Sequence, residues 1–263
     1  NSNLHPTSID VKGSGKDLKL LVTYYDSNVD ETNMIAKVYC YEYPIGTSTS
    51  QYTAAGTLKA QYNDHKTDPT LPGLLYQAVK GGWFVYTVGM INAVYGDNDM
   101  IWMKIDFYVK QTIPSKVIAF NSSKTTPLKE NDLPLSTDYY YGGDGIVVKG
   151  NLLVTGNNCA MHFYQTNTNG SITKKYNDLS TIYNNTIYTN IWINDLAIDH
   201  ANNLYAVSAY AGNMMVVALP NGGKTITNAA NKYAFTLPNP IPPVANIMAT
   251  ALQQTYDEEA ATF

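Results

Sequence analysis

Arginine is absent from this chain, and all 17 of its basic residues are lysines. Arginine is the side chain best shaped to hold a carboxylate or a phosphate through two parallel hydrogen bonds. Charged residues make up only 14% of the chain, the net charge is −4, and no basic cluster stands out. Because a nucleic-acid-binding protein needs a positive surface to meet the phosphates, the sequence argues against nucleic acid as a partner.

Cysteine is also scarce. The two cysteines, Cys40 and Cys159, fall in separate predicted strands. We expect both to be buried free thiols, because nothing else in the sequence indicates a scaffold held together by disulfides.

Long hydrophobic runs are missing as well. No apolar stretch reaches the roughly 18 residues that a membrane span needs, so no transmembrane segment is predicted. The chain begins at Asn1 without Met and shows no signal peptide, so we expect a processed or truncated product. Its many Gly, Asn, Thr and Tyr residues, including 22 tyrosines, are typical of secreted and surface-exposed β proteins. We therefore expect an extracytoplasmic location.

The sequence contains no G-x-S-x-G, P-loop or dinucleotide motif. The four histidines stand alone rather than in a pair with zinc-ligand spacing; they are His5, His65, His162 and His200. We therefore predict no catalytic constellation, no metal site and no cofactor.

Two acidic stretches resemble parts of a calcium loop. The stretch from Asp26 to Asp30 begins correctly, but Glu31 stands where such a loop needs glycine and Lys37 where it needs a bidentate glutamate. The stretch from Asp97 to Asp99 is short of ligands. Both are interpreted as solvated turns.

The stretch from Trp192 to Pro220 contains three short apolar segments separated by polar turns. The predicted strands are Asp195–Asp199, Leu204–Ala209 and Met214–Leu219. Asn and Gly in the turns supply the positive φ angles that hairpins need, and the strands are rich in Val, Leu, Ile, Met and Tyr. The pattern indicates an antiparallel sheet that is buried at least on one face.

The same pattern recurs upstream, which predicts four copies of one unit at 7–62, 74–120, 144–176 and 192–237. Aligning the first strands places Ser8, Tyr76, Asp144 and Asn194 at equivalent positions. In the second copy, this alignment makes Leu74–Lys80 a strand, followed by strands at Trp83–Met90, Met100–Val109 and Lys116–Phe120. The stretch from Asn121 to Asp138 is predicted to be a polar linker.

The run Asn-Asp-Leu-Ala-Ile-Asp-His-Ala-Asn-Asn-Leu-Tyr-Ala-Val-Ser-Ala at 194–209 resembles a blade of NHL-like and YncE-like β-propellers. It is also similar to propeller-containing surface lipoproteins of Gram-negative bacteria, in which Ala-Leu-Pro and a Thr/Asn-rich loop follow a similar core. The resemblance implies blades of four antiparallel strands that bury their faces against one another. It implies a bacterial surface or secreted protein and carries no catalytic residue with it.

We therefore predict an all-β, propeller-like array of four-stranded antiparallel blades over 1–239, with a Pro-rich linker and a short C-terminal helix over 240–263. In the tail, apolar residues recur at helical spacing after Pro243; they are Val244, Ile247, Met248, Ala251, Leu252 and Tyr256. The helix over 244–256 either packs back on the β domain or docks on a partner.

Aromatic residues cluster just before two of the predicted first strands. We call these stretches, 139–144 and 188–195, the lead-in segments. Exposed Tyr and Trp beside Asp and Asn suit sugar stacking or a protein hot spot, although aromatics also fill space between blades. The predicted ligand-binding residues are Tyr139, Tyr140, Tyr141, Asp144, Trp192, Asn194 and Asp195.

Three functions remain open from the sequence. The first is a non-catalytic binding or scaffold module for a surface protein or a glycan. The second is a propeller hydrolase or lyase acting on a carbohydrate or lactone, with carboxylates at Asp10, Asp144, Asp195 and Asp199. Two of those carboxylates within reach of each other would favour the enzyme. The third is a structural subunit of a surface assembly that docks through the tail.

Overall fold

The computed structural model describes residues 3–45, 55–64, 73–80, 88–107, 114–134, 145–157, 160–175, 179–180, 193, 195–199, 203–208, 213–218 and 232–236. The chain divides into two compact units, 1–139 and 140–263, which are described separately. The predicted tail helix at 244–256 lies outside the described residues.

The first sheet consists of β1 (Leu4–Lys12), β2 (Lys19–Asp30), β3 (Ile35–Pro44) and β4 (Thr57–Asn63). Its strands are antiparallel and lie in chain order. Pro44 ends β3, as expected of a residue that cannot donate to a strand ladder.

The second sheet consists of β5 (Val88–Tyr95), β6 (Met100–Phe107), β7 (Lys116–Asn121) and β8 (Pro127–Asp132), again antiparallel and in chain order. Two predictions about this region were wrong. The strand predicted to end at Met90 continues to Tyr95 in β5. The stretch from Asn121 to Asp138 is not wholly a linker, because β8 supplies the outer strand of the sheet.

The predicted strand at Leu74–Lys80 is a helix, α1. Leu75 and Val79, four residues apart, both pack into the core of the first unit, which is the spacing of one helical face. The carboxylate of Asp64 accepts the backbone N–H of Tyr76 at 3.0 Å and so caps the first turn. Tyr76 therefore does not align with Ser8, and the first strand of the second sheet is β5.

The core of the first unit lies between its two sheets and under α1. β1 packs beside β5, so the first strands of the two sheets are neighbours. Leu21 and Val38 of the first sheet and Ile101 and Ile118 of the second are fully buried in one cluster. Cys40 lies in the same cluster as a free thiol, as predicted, while Cys159 lies outside the described residues.

The third sheet consists of β9 (Ile146–Lys149), β10 (Leu152–Asn157), β11 (Ala160–Thr166) and β12 (Ile172–Lys174), with the short β13 (Leu179–Ser180) also paired to β11. The fourth sheet consists of β14 (Asp195–Ile198), β15 (Asn203–Ser208), β16 (Asn213–Ala218) and β17 (Lys232–Thr236). Both are antiparallel, as predicted.

The second unit repeats the arrangement of the first. β9 packs beside β14, so the first strands of the third and fourth sheets are neighbours. Val154, Phe163 and Leu204 are fully buried in the core that these sheets share. Among the described residues, no helix combines the length and the hydrophobicity of a membrane span.

Candidate functional site

Gly145, which follows the first lead-in segment, and Asp195, which ends the second, are neighbours in the second unit. Gly145 directly precedes β9, and Asp195 begins β14. A Cβ atom on Gly145 would lie 2.7 Å from Cγ of Leu196 and 3.1 Å from the carbonyl carbon of Asp195. Because only glycine permits so close an approach, the chain requires Gly145 where these two strands start.

Two further contacts fix this junction. Ile193 is fully buried in the core of the second unit, and its Cγ2 lies 2.5 Å from where a Cβ atom on Gly156 would be. The N–H of Gly156 donates to the carbonyl of Gly145 at 2.8 Å. The points at which both lead-in segments join the sheets are therefore held by core packing and a backbone hydrogen bond.

Asp195 is the one predicted ligand-binding residue among those that the structure describes. It is half-buried, and its Oδ1 accepts the N–H of Leu196 at 2.8 Å. Six others lie outside the described residues and stay predictions; they are Tyr139, Tyr140, Tyr141, Asp144, Trp192 and Asn194.

Asp10, a candidate catalytic carboxylate, has a structural role. One edge of β5 pairs with β6. Two side chains of β1 accept hydrogen bonds from backbone N–H groups of β5. The N–H of Tyr95 donates to Oδ2 of Asp10 at 2.7 Å, and the N–H of Ala93 donates to Oγ of Ser8 at 3.2 Å. Asp10 and Ser8 thus join the first sheet to the second.

Asp199 organises the turn between β14 and β15. Its carboxylate accepts the backbone N–H and the side-chain amide of Asn203, both at 2.7 Å, and the hydroxyl of Tyr205 at 2.8 Å. Burial opposes ionisation of this carboxyl, but the hydrogen bonds from Asn203 and Tyr205 outweigh it and lower its pKa. The Lys149 ammonium donates to the Asp199 carbonyl and ties the end of β9 to this turn.

Asp195 and Asp199 lie at opposite ends of β14. Four residues of extended chain at about 3.3 Å each separate them by about 13 Å. That distance exceeds the separation of the paired carboxylates in glycosidases, which is about 5–9.5 Å. These two residues therefore do not form an acid–base pair.

His5 and the acidic turn from Asp26 to Asp30 have local partners. The His5 ring stacks on Tyr25 with centroids 4.7 Å apart. Asp26 and Asp30 each accept a backbone N–H two or three residues later, at 2.9 Å. Within the described ranges, no group of three His, Cys, Asp or Glu residues has the geometry of a metal site.

A buried charge pair in the second sheet escaped the sequence analysis. Lys104 and Asp106 are 1% and 0% exposed, and Nζ lies 3.5 Å from Oδ2. Ser115, which is also buried, donates its hydroxyl to the other oxygen of Asp106. The sequence did contain a signal for this pair. Two charged residues stand at i and i+2 within the apolar run Met-Ile-Trp-Met-Lys-Ile-Asp-Phe, and alternate residues of a strand share a face. Each buried charge depends on its partners for stability.

A second polar group joins the two sheets of the first unit. The Tyr95 hydroxyl donates to Oε2 of Glu42 at 3.0 Å, while Nζ of Lys59 lies 3.4 Å from Oε1. Nζ of Lys12 lies 5.5 Å from the centre of the Tyr95 ring. Burial and the Glu42 carboxylate raise the pKa of Tyr95, so its hydroxyl stays protonated and donates.

No protein-family model matches this chain, and no curated protein matches its sequence. Among solved structures, a candidate 6-phosphogluconolactonase from Bacteroides fragilis is 10% identical, with a TM-score of 0.51 over 88% of this chain and 55% of that one. A virginiamycin B lyase from Staphylococcus aureus, solved in a catalytically inactive form with quinupristin, is 13% identical, with a TM-score of 0.45 over 91% of this chain and 58% of that one. A protein of unknown function from Desulfotomaculum acetoxidans is 9% identical, with a TM-score of 0.47 over 88% and 57%.

The chain spans somewhat more than half the length of these proteins. At such identities, structural likeness bears on the fold and leaves activity open. Four antiparallel sheets in chain order, together with the Bacteroides fragilis structure, show that this chain has a propeller-like, all-β fold.

Proposed function

We propose that the chain is a non-catalytic, extracytoplasmic binding or scaffold module of the NHL-like or YncE-like type, which binds a surface protein or a glycan through the two lead-in segments. The observation that supports this most directly is the close approach of Gly145 to Asp195 and Leu196. Because Gly145, which follows the first segment, lies close to Asp195, which ends the second, we expect one ligand to reach the aromatic residues of both segments.

The residue types suit such a ligand. Tyr and Trp provide large apolar surfaces with a polar tip, and Asp and Asn add directed hydrogen bonds. Tyr139–Tyr141 with Asp144, and Trp192 with Asn194 and Asp195, provide both kinds of contact. Trp and Tyr are the residues most enriched among those that dominate binding energies.

The alternative function, a hydrolase or lyase acting on a carbohydrate or lactone, has less support. Asp10 and Asp199 both accept backbone N–H groups in structural roles. Asp195 lies too far from Asp199 along β14 to act with it. The third hypothesis, a structural subunit that docks through the tail, concerns residues outside the described ranges; an assembly of unchanged size after deletion of 240–263 would remove it.

The binding proposal is tested with a glycan array and a pull-down from surface extracts, using the full chain. We expect Trp192→Ala and Tyr140→Ala each to weaken binding at least about tenfold, which corresponds to about 1.4 kcal/mol. Trp83→Ala is the matched control, because it removes a tryptophan from the first unit and should leave affinity unchanged.

Unchanged affinity in both Trp192→Ala and Tyr140→Ala would show that the ligand binds outside the lead-in segments. Failure of the wild-type chain to bind any glycan or surface protein would overturn the binding function itself. The location is tested separately by protease treatment of intact cells, in which an extracytoplasmic protein is cleaved while a cytoplasmic marker survives.

A further inference from the structure

The turn between β11 and β12 contains an asparagine followed directly by a glycine, Asn169 and Gly170. The N–H of Asn167 donates to the carbonyl of Ser171 at 3.0 Å, and the N–H of Gly170 donates to the carbonyl of Asn167 at 2.9 Å. Asn169 is exposed, and Gly170 has a φ of 82°, which glycine adopts without strain. The turn therefore favours a glycine directly after an exposed asparagine.

The side-chain amide of Asn169 is held in place by Ser171. Its Oδ1 accepts the backbone N–H of Ser171 at 3.0 Å and the Ser171 hydroxyl at 2.8 Å. The side-chain amide of Asn167 donates to Oγ of Ser171 at 3.1 Å, which directs the hydroxyl proton towards Asn169. Two donors on one carbonyl oxygen stabilise the negative charge that develops there when a nucleophile attacks the carbonyl carbon. Cγ of Asn169 is thus activated towards attack.

The adjacent nucleophile is the backbone nitrogen of Gly170. Its attack on Cγ of Asn169 closes a five-membered ring, and a reaction within one chain avoids the entropic cost of bringing two molecules together. The N–H bond of Gly170 lies in the peptide plane, whereas the nitrogen reacts through a face of that plane. The hydrogen bond to Asn167 therefore does not occupy the reacting face, and Gly170 has no Cβ atom to obstruct ring closure.

We propose that Asn169 is a site of spontaneous deamidation, at which a neutral turn acquires a carboxylate. The Gly170 nitrogen loses its proton to solvent base and forms a bond to Cγ of Asn169. The bond from Cγ to Nδ2 breaks, and Nδ2 takes up a proton and leaves as ammonia. Water then adds to one of the two carbonyls of the cyclic imide and opens it to aspartate or isoaspartate. This inference does not depend on the proposed binding function, whose residues lie in the lead-in segments.

A second asparagine, in the first unit, provides an internal comparison. Oδ1 of Asn121 accepts the backbone N–H of Ser123 at 3.0 Å and the Ser123 hydroxyl at 2.7 Å, which are the same two hydrogen bonds as at Asn169. The residue after Asn121 is Ser122, whose side chain hinders the approach of its backbone nitrogen to Cγ. We therefore expect Asn121 to react much more slowly than Asn169.

The two products should differ in their effect on the turn. Aspartate at position 169 keeps an oxygen that accepts both hydrogen bonds from Ser171, and its charge strengthens them. Isoaspartate routes the main chain through the former side chain, which inserts one extra atom between Asn167 and Ser171. Because strand pairing depends on the spacing of backbone groups, isoaspartate should weaken the pairing of β12 with β11.

Peptide mapping by mass spectrometry tests the proposal on the full, folded chain, kept in neutral buffer and sampled over several days. Cleavage after lysine places Asn169 in the peptide 150–174 and Asn121 in the peptide 117–124. Fragmentation of each peptide locates the mass gain of an amide that has become an acid, and an isoaspartyl methyltransferase labels the isoaspartate product. Asn169 should convert at least about tenfold faster than Asn121 in the same sample.

Two variants test the part that Ser171 plays. Ser171→Ala removes the hydroxyl donor and should slow the conversion of Asn169 about 2- to 10-fold, the effect of one hydrogen bond. Ser171→Thr keeps the hydroxyl and should react as the wild type does. The comparison of Asn169 with Asn121 in the wild type needs no variant, so it decides the question even where a variant fails to fold. An unmodified Asn169, equal rates at Asn169 and Asn121, or an unchanged rate in folded Ser171→Ala would each overturn the proposal.

Discussion

At the scale of single residues, several acidic side chains of this protein accept hydrogen bonds from its own backbone. Asp10 accepts a backbone N–H of β5, Asp64 caps α1 and Asp199 closes a hairpin. Backbone N–H groups that are removed from water need acceptors, and a nearby carboxylate is a strong one. An acidic residue in this chain is therefore not by itself a sign of catalysis.

Asp199 should make the second unit sensitive to acid. Its pKa is lower in the folded chain than the ordinary value of 3.8. Its stabilising effect is therefore fully present above that value and is lost as the pH falls through the lower, folded-state pKa. Asp199→Asn should reduce the free energy of unfolding by about 1 kcal/mol at about pH 7.

Thermal unfolding at about pH 7 and at about pH 3, followed by circular dichroism, measures this effect. The difference between wild type and Asp199→Asn should narrow at the lower pH, because below 3.8 the unfolded chain takes up a proton at this position more readily than the folded chain does. Asp97→Asn, in an exposed turn, is the control. A difference that is the same at both pH values would show that ionisation of Asp199 does not contribute.

At the scale of elements, both the local sequence pattern and long-range contacts determine which secondary structure a stretch adopts. The hairpins of the third and fourth sheets form where Asn and Gly turns separate short apolar runs, as the sequence predicts. The stretch at Leu74–Lys80 behaves differently, because its helix is capped by Asp64 and anchored by Glu31, which accepts the Tyr76 hydroxyl at 2.6 Å. Neither partner is adjacent in the sequence.

Removing the cap should destabilise α1. Asp64→Ala leaves the N–H of Tyr76 without its side-chain acceptor, and we expect it to lower the free energy of unfolding by about 0.5–2 kcal/mol. Urea unfolding measures the change, and Asp97→Ala serves as the control because Asp97 is exposed. Equal stability of wild type and Asp64→Ala would mean that the helix is held by its buried side chains alone.

At the scale of the whole molecule, the chain comprises two units, each with two sheets and its own core. In both units, the first strands of the two sheets lie side by side. In both units, the lysine at the end of the first strand of one sheet contacts the end of the first strand of the other sheet. Lys12 at the end of β1 contacts Tyr95 at the end of β5, and Lys149 at the end of β9 contacts Asp199, which follows β14. Two cores imply that each unit has its own local stability.

Native-state hydrogen exchange should resolve the two units. Ile118→Ala in the core of the first unit should lower stability by about 2–5 kcal/mol and speed exchange mainly within residues 1–139. Phe163→Ala should do so mainly within residues 140–263. Equal acceleration throughout the chain in both variants would show that the molecule opens as one cooperative body.

The sequence by itself determined the all-β class, the chain-order sheets and most strand positions, because strand periodicity and turn chemistry are properties of neighbouring residues. Only the tertiary structure decided that Leu74–Lys80 is a helix, that Lys104 and Asp106 are buried together, and that Gly145 meets Leu196. Each of these depends on groups brought together by sheet packing or long-range hydrogen bonding, and no local pattern specifies which distant group will be there.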